Sequence, residues 1–340
     1  MPGGSDKVGH VPKQGAAAPA EDWKIRLEED ETNMKKFFAL LLALAMTMSL
    51  AACGSSEETT EETTDGDTAT EETTDYASMS DEDLKAAITT VTAGTLTVAT
   101  SPDFAPYEFY AIGEDGQATL AGFEMSLAQY IADYLGLTLE VVPMDFDGTL
   151  MELQNKSVDL GMAGYSPKPE RENIMDFSEI FYTGGQSFVT TQANADKFTS
   201  LEDTNKAEYS IGAQTGSIQV DLAMANSPDA DIIQLPKVPD IITDLLAGNL
   251  DGAYIETVVA ETYAKNYPDL NVLLDVPYEQ EGSVVGVSKG NAALLEGVNR
   301  AIAAVLEDGT MDQFVTEANE LASGTTYEGL LDENGQAAEG

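Results

Sequence analysis

An α/β fold in two lobes, each built on a mostly parallel sheet flanked by helices, is what this sequence predicts, on three observations. Strand-like and helix-like segments alternate from Thr95 onward, the pattern that lays parallel strands side by side with helices on their faces. Residues 150–160 and 244–252 read alike, each a helix end, a polar turn and a strand opening at an aspartate. About 230 residues of ordinary globular composition carry these elements, enough for two modest cores.

The chain begins with residues 1–33, a polar stretch upstream of a second methionine that is read as an extension outside the mature protein,. It holds the only histidine, His10, and the only tryptophan, Trp23. At Met34 a new pattern starts: Lys35 and Lys36, then an uncharged run over 37–52 that closes on Leu50-Ala51-Ala52-Cys53. A charged start, a short apolar core and small residues before a cleavage point make an export signal, whereas a spanning helix wants about 20 apolar residues. The ending resembles the lipobox of bacterial lipoproteins, so Cys53 is expected to be the lipidated first residue of a chain held on the extracellular face of the membrane. As the only cysteine, it cannot form a disulfide within the chain,.

From Cys53 onward the chain therefore has no histidine and no spare thiol. Histidine triads, imidazole-ligated zinc and thiol nucleophiles are excluded, leaving carboxylate, lysine, tyrosine and hydroxyl chemistry. The formal net charge is −44, and only ten lysines and arginines lie beyond Cys53. That field disfavours phosphate backbones and anionic lipid head groups, so nucleic acid is not an expected partner.

Residues 54–83 are acidic, rich in threonine and nearly free of large apolar side chains. Such a segment buries too little to fold and is expected to act as a solvated, self-repelling tether. Asp65-Gly66-Asp67 has the look of a calcium loop but lacks the remaining ligand spacing, so no metal site is assigned. A short helix is expected near 84–91. Alternation over Thr95-Leu96-Thr97-Val98-Ala99 predicts a strand, the spacing of Phe123, Leu127, Ile131 and Leu135 predicts a helix over Phe123–Leu135, and another strand is expected over 137–142,. Asp159 and Asp251, which open the strands of the two similar units, are read as structural; ligands in open α/β sheets bind at the far ends of such strands.

After the first of those strands comes Ala163-Gly164-Tyr165-Ser166-Pro167-Lys168-Pro169-Glu170-Arg171, and after the second Ile255-Glu256. Arg171 is one of two arginines beyond Cys53. Its planar fork suits a carboxylate held through two bonds; a salt bridge to Glu170 or Glu172 is the equal alternative. Lys168 reads as surface charge. Asp103 and Glu108 read as exposed carboxylates that solvate or cap, with reading the ligand side chain as the lesser alternative, and Tyr107 and Phe146 as either pocket lining or lobe packing.

The order of motifs resembles the family 3 extracellular solute-binding proteins, the amino acid receptors of ABC importers. It runs through Thr100-Ser101-Pro102-Asp103-Phe104-Ala105-Pro106-Tyr107-Glu108, Gly122-Phe123-Glu124, Ser166 to Arg171, Asp176-Phe177-Ser178 and Tyr182. It continues through Gln214-Thr215-Gly216-Ser217, Leu250 to Glu256, Gly286-Val287-Ser288-Lys289-Gly290-Asn291 and Val298-Asn299, covering roughly residues 93–322,. The resemblance implies a periplasmic-binding-protein-like fold of type II with a two-strand hinge, crossed near Tyr182 to Ser187 and near Glu279 to Ser283. Lobe one would take 93–184 and 284–325, and lobe two 185–283. A tether over 53–92 would precede them and a flexible tail over 326–340 would come after.

It further implies that Arg171 holds the ligand α-carboxylate, helped by Ser217 and the amides of its helix start. Glu256 stands where the family usually has an aspartate for the α-ammonium. Phe104, whose rival reading is core packing, and Phe146 would line the side-chain pocket, and Gly164 and Ser166 would supply backbone and hydroxyl contacts. Ser101 replaces the aspartate common in receptors for cationic amino acids, which counts against a lysine, arginine or histidine ligand without excluding one. The implied molecule is a monomer without a cofactor that closes on its ligand by differential affinity and delivers it to a permease. A cyclohexadienyl dehydratase-like enzyme using Glu256 as acid or base is the rival reading. A ligand-sensing module is the third.

Overall fold

The computed structural model describes residues 74–113, 116–279 and 282–324, with the backbone of 326 and 327. All belong to the compact unit Glu72–Gly340, one of two into which the chain divides. The extension, the signal, Cys53, the tether as far as residue 73 and the tail from 328 lie outside the described residues.

After a single turn at Tyr76–Ser78, helix α1 spans Asp81–Ala87, where the Ser80 hydroxyl accepts from the Asp83 amide. The first half continues with β1 (Thr95–Thr100), β2 (Asp103–Phe104), β3 (Glu108–Ile112), β4 (Ala118–Ala121), α2 (Phe123–Leu135), β5 (Thr138–Pro143), α3 (Phe146–Asn155), β6 (Leu160–Gly161) and β7 (Met175–Phe177). The second half comprises β8 (Gln186–Thr191), β9 (Ser210–Gln214), α4 (Ile218–Asn226), β10 (Asp231–Leu235), α5 (Val238–Ala247), β11 (Gly252–Glu256), α6 (Thr257–Asn266) and β12 (Leu270–Asp275). The chain then returns to the first as β13 (Gly286–Ser288), α7 (Ala292–Glu307), α8 (Thr310–Ala322) and β14 (Thr326–Tyr327). Helix α2 has the bounds its spacing predicts: Phe123, Leu127, Ile131 and Leu135 are all buried, and Gly136 ends it in the left-handed region,.

Each half is organised on one five-stranded sheet, in the order β5-β1-β6-β13-β7 and β10-β9-β11-β8-β12. Both are mixed. Four strands in each run one way, and one, β13 or β8, runs against them, so half of the neighbouring pairs are antiparallel. The contrary strands are the first that the chain enters after each passage between halves. A chain arriving from the side where the parallel strands end can only run back down the sheet. The two passages pair with each other, Tyr182 with Ser283, through Ser283 N–H to the Tyr182 carbonyl at 2.7 Å and Phe181 N–H to the Ser283 carbonyl at 3.0 Å. They form the two-strand hinge.

The two look-alike units are built alike. Helix α3 ends at Lys156 and α5 at Gly248, both left-handed, each with the amide of the capping residue and of the next one returned to the last turn,. Next, Asp159 N–H donates to the Thr97 carbonyl and its carboxylate accepts Thr97 N–H at 2.9 Å. Asp251 does the same with Ser210, its carboxylate accepting at 3.2 Å. Each aspartate thus ties its unit to the neighbouring parallel strand. The ties differ in burial: Asp159 also accepts Val91 N–H at 2.8 Å and is fully buried, whereas Asp251 is partly exposed and pairs with Lys197.

Asp159→Ala would orphan the buried Thr97 amide and release the Val91 amide, and is expected to cost about 2–3 kcal/mol in urea unfolding, against about 1 kcal/mol or less for Asp251→Ala,. Equal costs would show that the two ties are not graded by burial.

Candidate functional site

The loop after β6 carries Gly164 to Arg171, and a 3-10 turn opened by Pro169 swings Arg171 inward until it is 5% exposed. The guanidinium lies over the Phe146 ring at 5.5 Å and the Tyr165 ring at 5.6 Å,. One N–H donates to the Ser166 carbonyl at 3.3 Å, and another reaches the opposite lobe, donating to the Gly216 carbonyl at 3.0 Å. Among the described residues no carboxylate lies within ion-pair distance, so neither Glu170 nor Glu172 bridges it. Burial pulls its pKa below the usual arginine value, opposed by Tyr165 and the nearby acids,. Arg300 shows the contrast: it is saturated by Glu296, Asp81 and the carbonyls of Tyr76 and Ala77.

Phe104 and Gly164 meet directly. Gly164 has φ +61°, and a Cβ there would fall 2.7 Å from the Phe104 ring, so the close approach requires glycine,. Its N–H donates to Glu124, at 3.1 and 3.2 Å to the two carboxylate oxygens. Behind Glu124 lies Glu108, fully buried, and no donor among the described residues reaches either Glu108 oxygen apart from the facing Glu124 carboxyl. Burial and the facing Glu124 carboxyl push Glu108 well above the usual carboxylate range, and burial raises Glu124 to about 7. Two carboxyls in one dry site hold a proton between them.

Asp103 and Glu108, read from sequence as exposed, are both buried. Asp103 accepts the Ser101 hydroxyl at 2.6 Å, the Gln214 side-chain amide at 3.0 Å and the Val238 backbone amide at 2.9 Å. The last two belong to the second half, which is why local sequence did not reveal the burial. Desolvation lifts Asp103 to about 6 against these donors. Lys168, read as surface charge, pairs with Asp221 across the lobes.

Glu256 is the last residue of β11 and the N-cap of α6. One oxygen accepts Val259 N–H at 2.9 Å, and the other accepts the Tyr107 hydroxyl at 3.3 Å. A Cβ at Gly184 would come within 2.3 Å of that second oxygen, so the hinge glycine makes room for the carboxylate. Burial raises Glu256 to about 7, with the amide and Tyr107 bonds opposing. Ser217 turns back on its own loop: both its hydroxyl and its N–H donate to the Gln214 carbonyl, at 2.7 and 3.2 Å. Neither is free to meet an anion in this arrangement.

The structure thus brings Arg171, Phe146 and Ser166 together beside the Gly216-Ser217 turn, and puts Phe104 on Gly164. Ser101 joins through Asp103 and Glu256 through Tyr107, whose ring lies 5.2 Å from Phe104 and 5.5 Å from Tyr182. Glu256 makes no hydrogen bond or ion pair to Arg171. Residues that sequence reasoning left out are Gln214, at the end of β9, and Tyr165, whose hydroxyl is fixed by Thr149 beneath the guanidinium. A polar residue ending a parallel strand was the signal for the first; nothing marked the second. Two open grooves, of about 490 Å³ between α2 and α8 and about 610 Å³ beside α5 and α6, lie away from these strand ends.

Residues 96–317 match the model of the bacterial extracellular solute-binding proteins, family 3. The arginine-binding extracellular protein ArtP of Bacillus subtilis is 29% identical over 284 residues, covering 82% of this chain and 96% of that protein. The structure of the amino acid ABC transporter substrate-binding protein AbpA from Streptococcus pneumoniae, bound to L-arginine, is 31% identical with a TM-score of 0.66, covering 72% of this chain and all of that one. The ancestral amino acid-binding protein AncCDT-1, described as a precursor of cyclohexadienyl dehydratase, is 32% identical with a TM-score of 0.59, covering 66% and 95%.

The raised carboxyls fix the sign of a pH dependence. In the folded state Asp103, Glu124 and Glu256 hold protons up to about 6 or 7, whereas the unfolded chain releases them near 4. Between those values the native state binds more protons, so stability falls as pH rises. The ligand-free protein is expected to melt at a higher temperature at pH 5 than at pH 8, and Glu124→Gln to flatten that slope, its shift alone being worth on the order of 3 kcal/mol. Calorimetry across pH 5–8 checks this, and a melting temperature that climbs with pH would refute it.

Proposed function

The chain belongs to family 3 of the bacterial extracellular solute-binding proteins, and on that premise we propose that it is a lipid-anchored receptor that closes its lobes on an amino acid and hands it to the permease of an ABC transporter. The observation that carries the reading is Arg171: a buried cation held by two carbonyls and two aromatic faces, with no carboxylate of its own among the described residues. Burying a charge without a counter-ion is costly, and a ligand α-carboxylate that fills the remaining N–H fork removes the cost. Glu256 takes the α-ammonium, exchanging its Tyr107 bond for a charged donor. Phe104 and Phe146 flank the side chain, with Gly164, Ser166 and Ser101 supplying polar contacts around it, and Ser217 joins them once ligand entry frees its hydroxyl from the Gln214 carbonyl.

A basic amino acid is the favoured class. ArtP, arginine-binding by name, and AbpA, solved with L-arginine, support it, and so does the excess of buried acid, since Glu108, Glu124 and Glu256 are all buried in addition to the filled Asp103,. The anchor rests on the signal over 34–52 and on Cys53; replacing Cys53 with serine is expected to move the protein from the membrane fraction to the medium. A dehydratase reading draws on one observation, that Glu256 is a buried carboxyl raised to about 7, the range of a general acid,.

Calorimetry of the mature protein against the twenty amino acids tests the proposal, with an assay for product alongside. Binding without turnover is expected. Arg171→Ala should weaken that binding by more than about 2 kcal/mol, roughly thirtyfold, while circular dichroism stays unchanged. Unchanged affinity would reject the site, and product formation would favour the enzyme.

A further inference from the structure

We propose that Asp103 is a latch between the lobes, a positioning residue that sets affinity by holding the closed state from outside the ligand's own contacts. It rests on the reading that the lobes close on a ligand. Asp103 opens β2 in the first half, yet one of its oxygens is occupied by two donors of the second half, Gln214 Nε2 and the Val238 amide. Its other oxygen accepts the Ser101 hydroxyl. Tyr263 on α6 adds a third link, its hydroxyl donating to the Asp103 backbone carbonyl at 3.4 Å.

The service Asp103 performs for the second half is specific. Val238 is the first residue of α5, a ten-residue helix; its N-cap is Lys237, which provides no side-chain cap, and Pro239 sits at the second position with no N–H to offer. A helix start of that kind leaves its first amide unpaired and its positive dipole end uncompensated. The carboxylate that meets both needs comes from the opposite lobe. Gln214 is oriented for the same bond by a second one, to the Pro236 carbonyl at 3.1 Å. Opening the lobes would strip the cap from α5 and leave the Gln214 amide without its charged partner.

Other polar contacts cross the cleft, but they differ in kind. Arg171 to Gly216 and Tyr107 to Glu256 involve groups assigned to the ligand. Lys168 with Asp221 and Lys237 with Asp145 are partly exposed ion pairs, the class that contributes least,. Among the described residues Asp103 alone combines a fully desolvated charge, donors from both lobes and a carboxylate already filled. Such a contact stabilises the closed form against the open one whatever side chain the ligand carries, and every ligand gains by the same factor.

The test compares the mature wild-type protein with Asp103→Asn and, in case that variant fails to fold, with Gln214→Leu, which removes one donor on the other side. Calorimetry and stopped-flow dissociation use L-arginine, L-lysine, L-glutamine and L-histidine, and small-angle scattering measures the ligand-free proteins at pH 7.5. The expected result is an affinity lower by roughly tenfold for every amino acid the wild type binds, with the ratios between them preserved, faster dissociation, and a larger radius of gyration without ligand. A loss confined to one side-chain class would overturn the latch and make Asp103 a ligand contact; unchanged affinity with an unchanged radius would overturn it outright. Wild type binding none of the four would fail the receptor reading instead, and scattering would still decide the latch.

Discussion

A guanidinium buried between two lobes, with no carboxylate paired to it among the described residues, is the constraint around which the cleft is organised. Arg171 can be dry because Phe146 and Tyr165 give it polarisable faces and the carbonyls of Ser166 and Gly216 take two of its donors,. Carbonyls are half-measures for a full charge. They are also drawn from both lobes, so the arginine is best satisfied by the protein only when the lobes touch, and better still when an anion is enclosed with them.

The buried acids obey the opposite logic. Asp103, Glu108, Glu124 and Glu256 are taken out of water by the same packing, and each is raised chiefly by that desolvation,. Four buried carboxyls against one buried guanidinium favour protons or ligand cations. Glu256 is tuned by Val259 and Tyr107, Glu124 by the Gly164 amide, and Asp103 by donors of the other lobe. Closure, ionisation and ligand charge are thus linked through the same few hydrogen bonds, and a ligand shifts the equilibrium only by what it adds beyond them.

Local features of this fold were legible in the sequence because they are set by local rules. The bounds of α2 follow from four apolar residues at helical spacing and a terminating glycine, and the pairing of the two helix–turn–aspartate units follows from their shared spelling. Arg171 stood out by scarcity. Asp103 did not, since its burial depends on Gln214 and Val238, 111 and 135 residues further along; nothing near it in the chain distinguishes a buried carboxylate from a solvated one. The antiparallel strands β8 and β13 escaped for a related reason. A strand's direction is fixed by where the chain enters the sheet, and that depends on the passages between halves rather than on the strand itself.

The duplicated unit explains why a zwitterion suits the cleft. Both halves end a helix in a left-handed turn, tie an aspartate to the neighbouring strand, and run the next strand toward the cleft. Beyond that strand the halves diverge: the first continues into a loop that carries Arg171, whereas the second stops at Glu256 and begins a helix. Equivalent scaffolds thereby present opposite charges on opposite lobes. Under the proposed reading, an α-amino acid is among the smallest molecules that answer both. Each of its charged groups then favours a different lobe, so neither lobe alone holds the ligand as well as the two closed together.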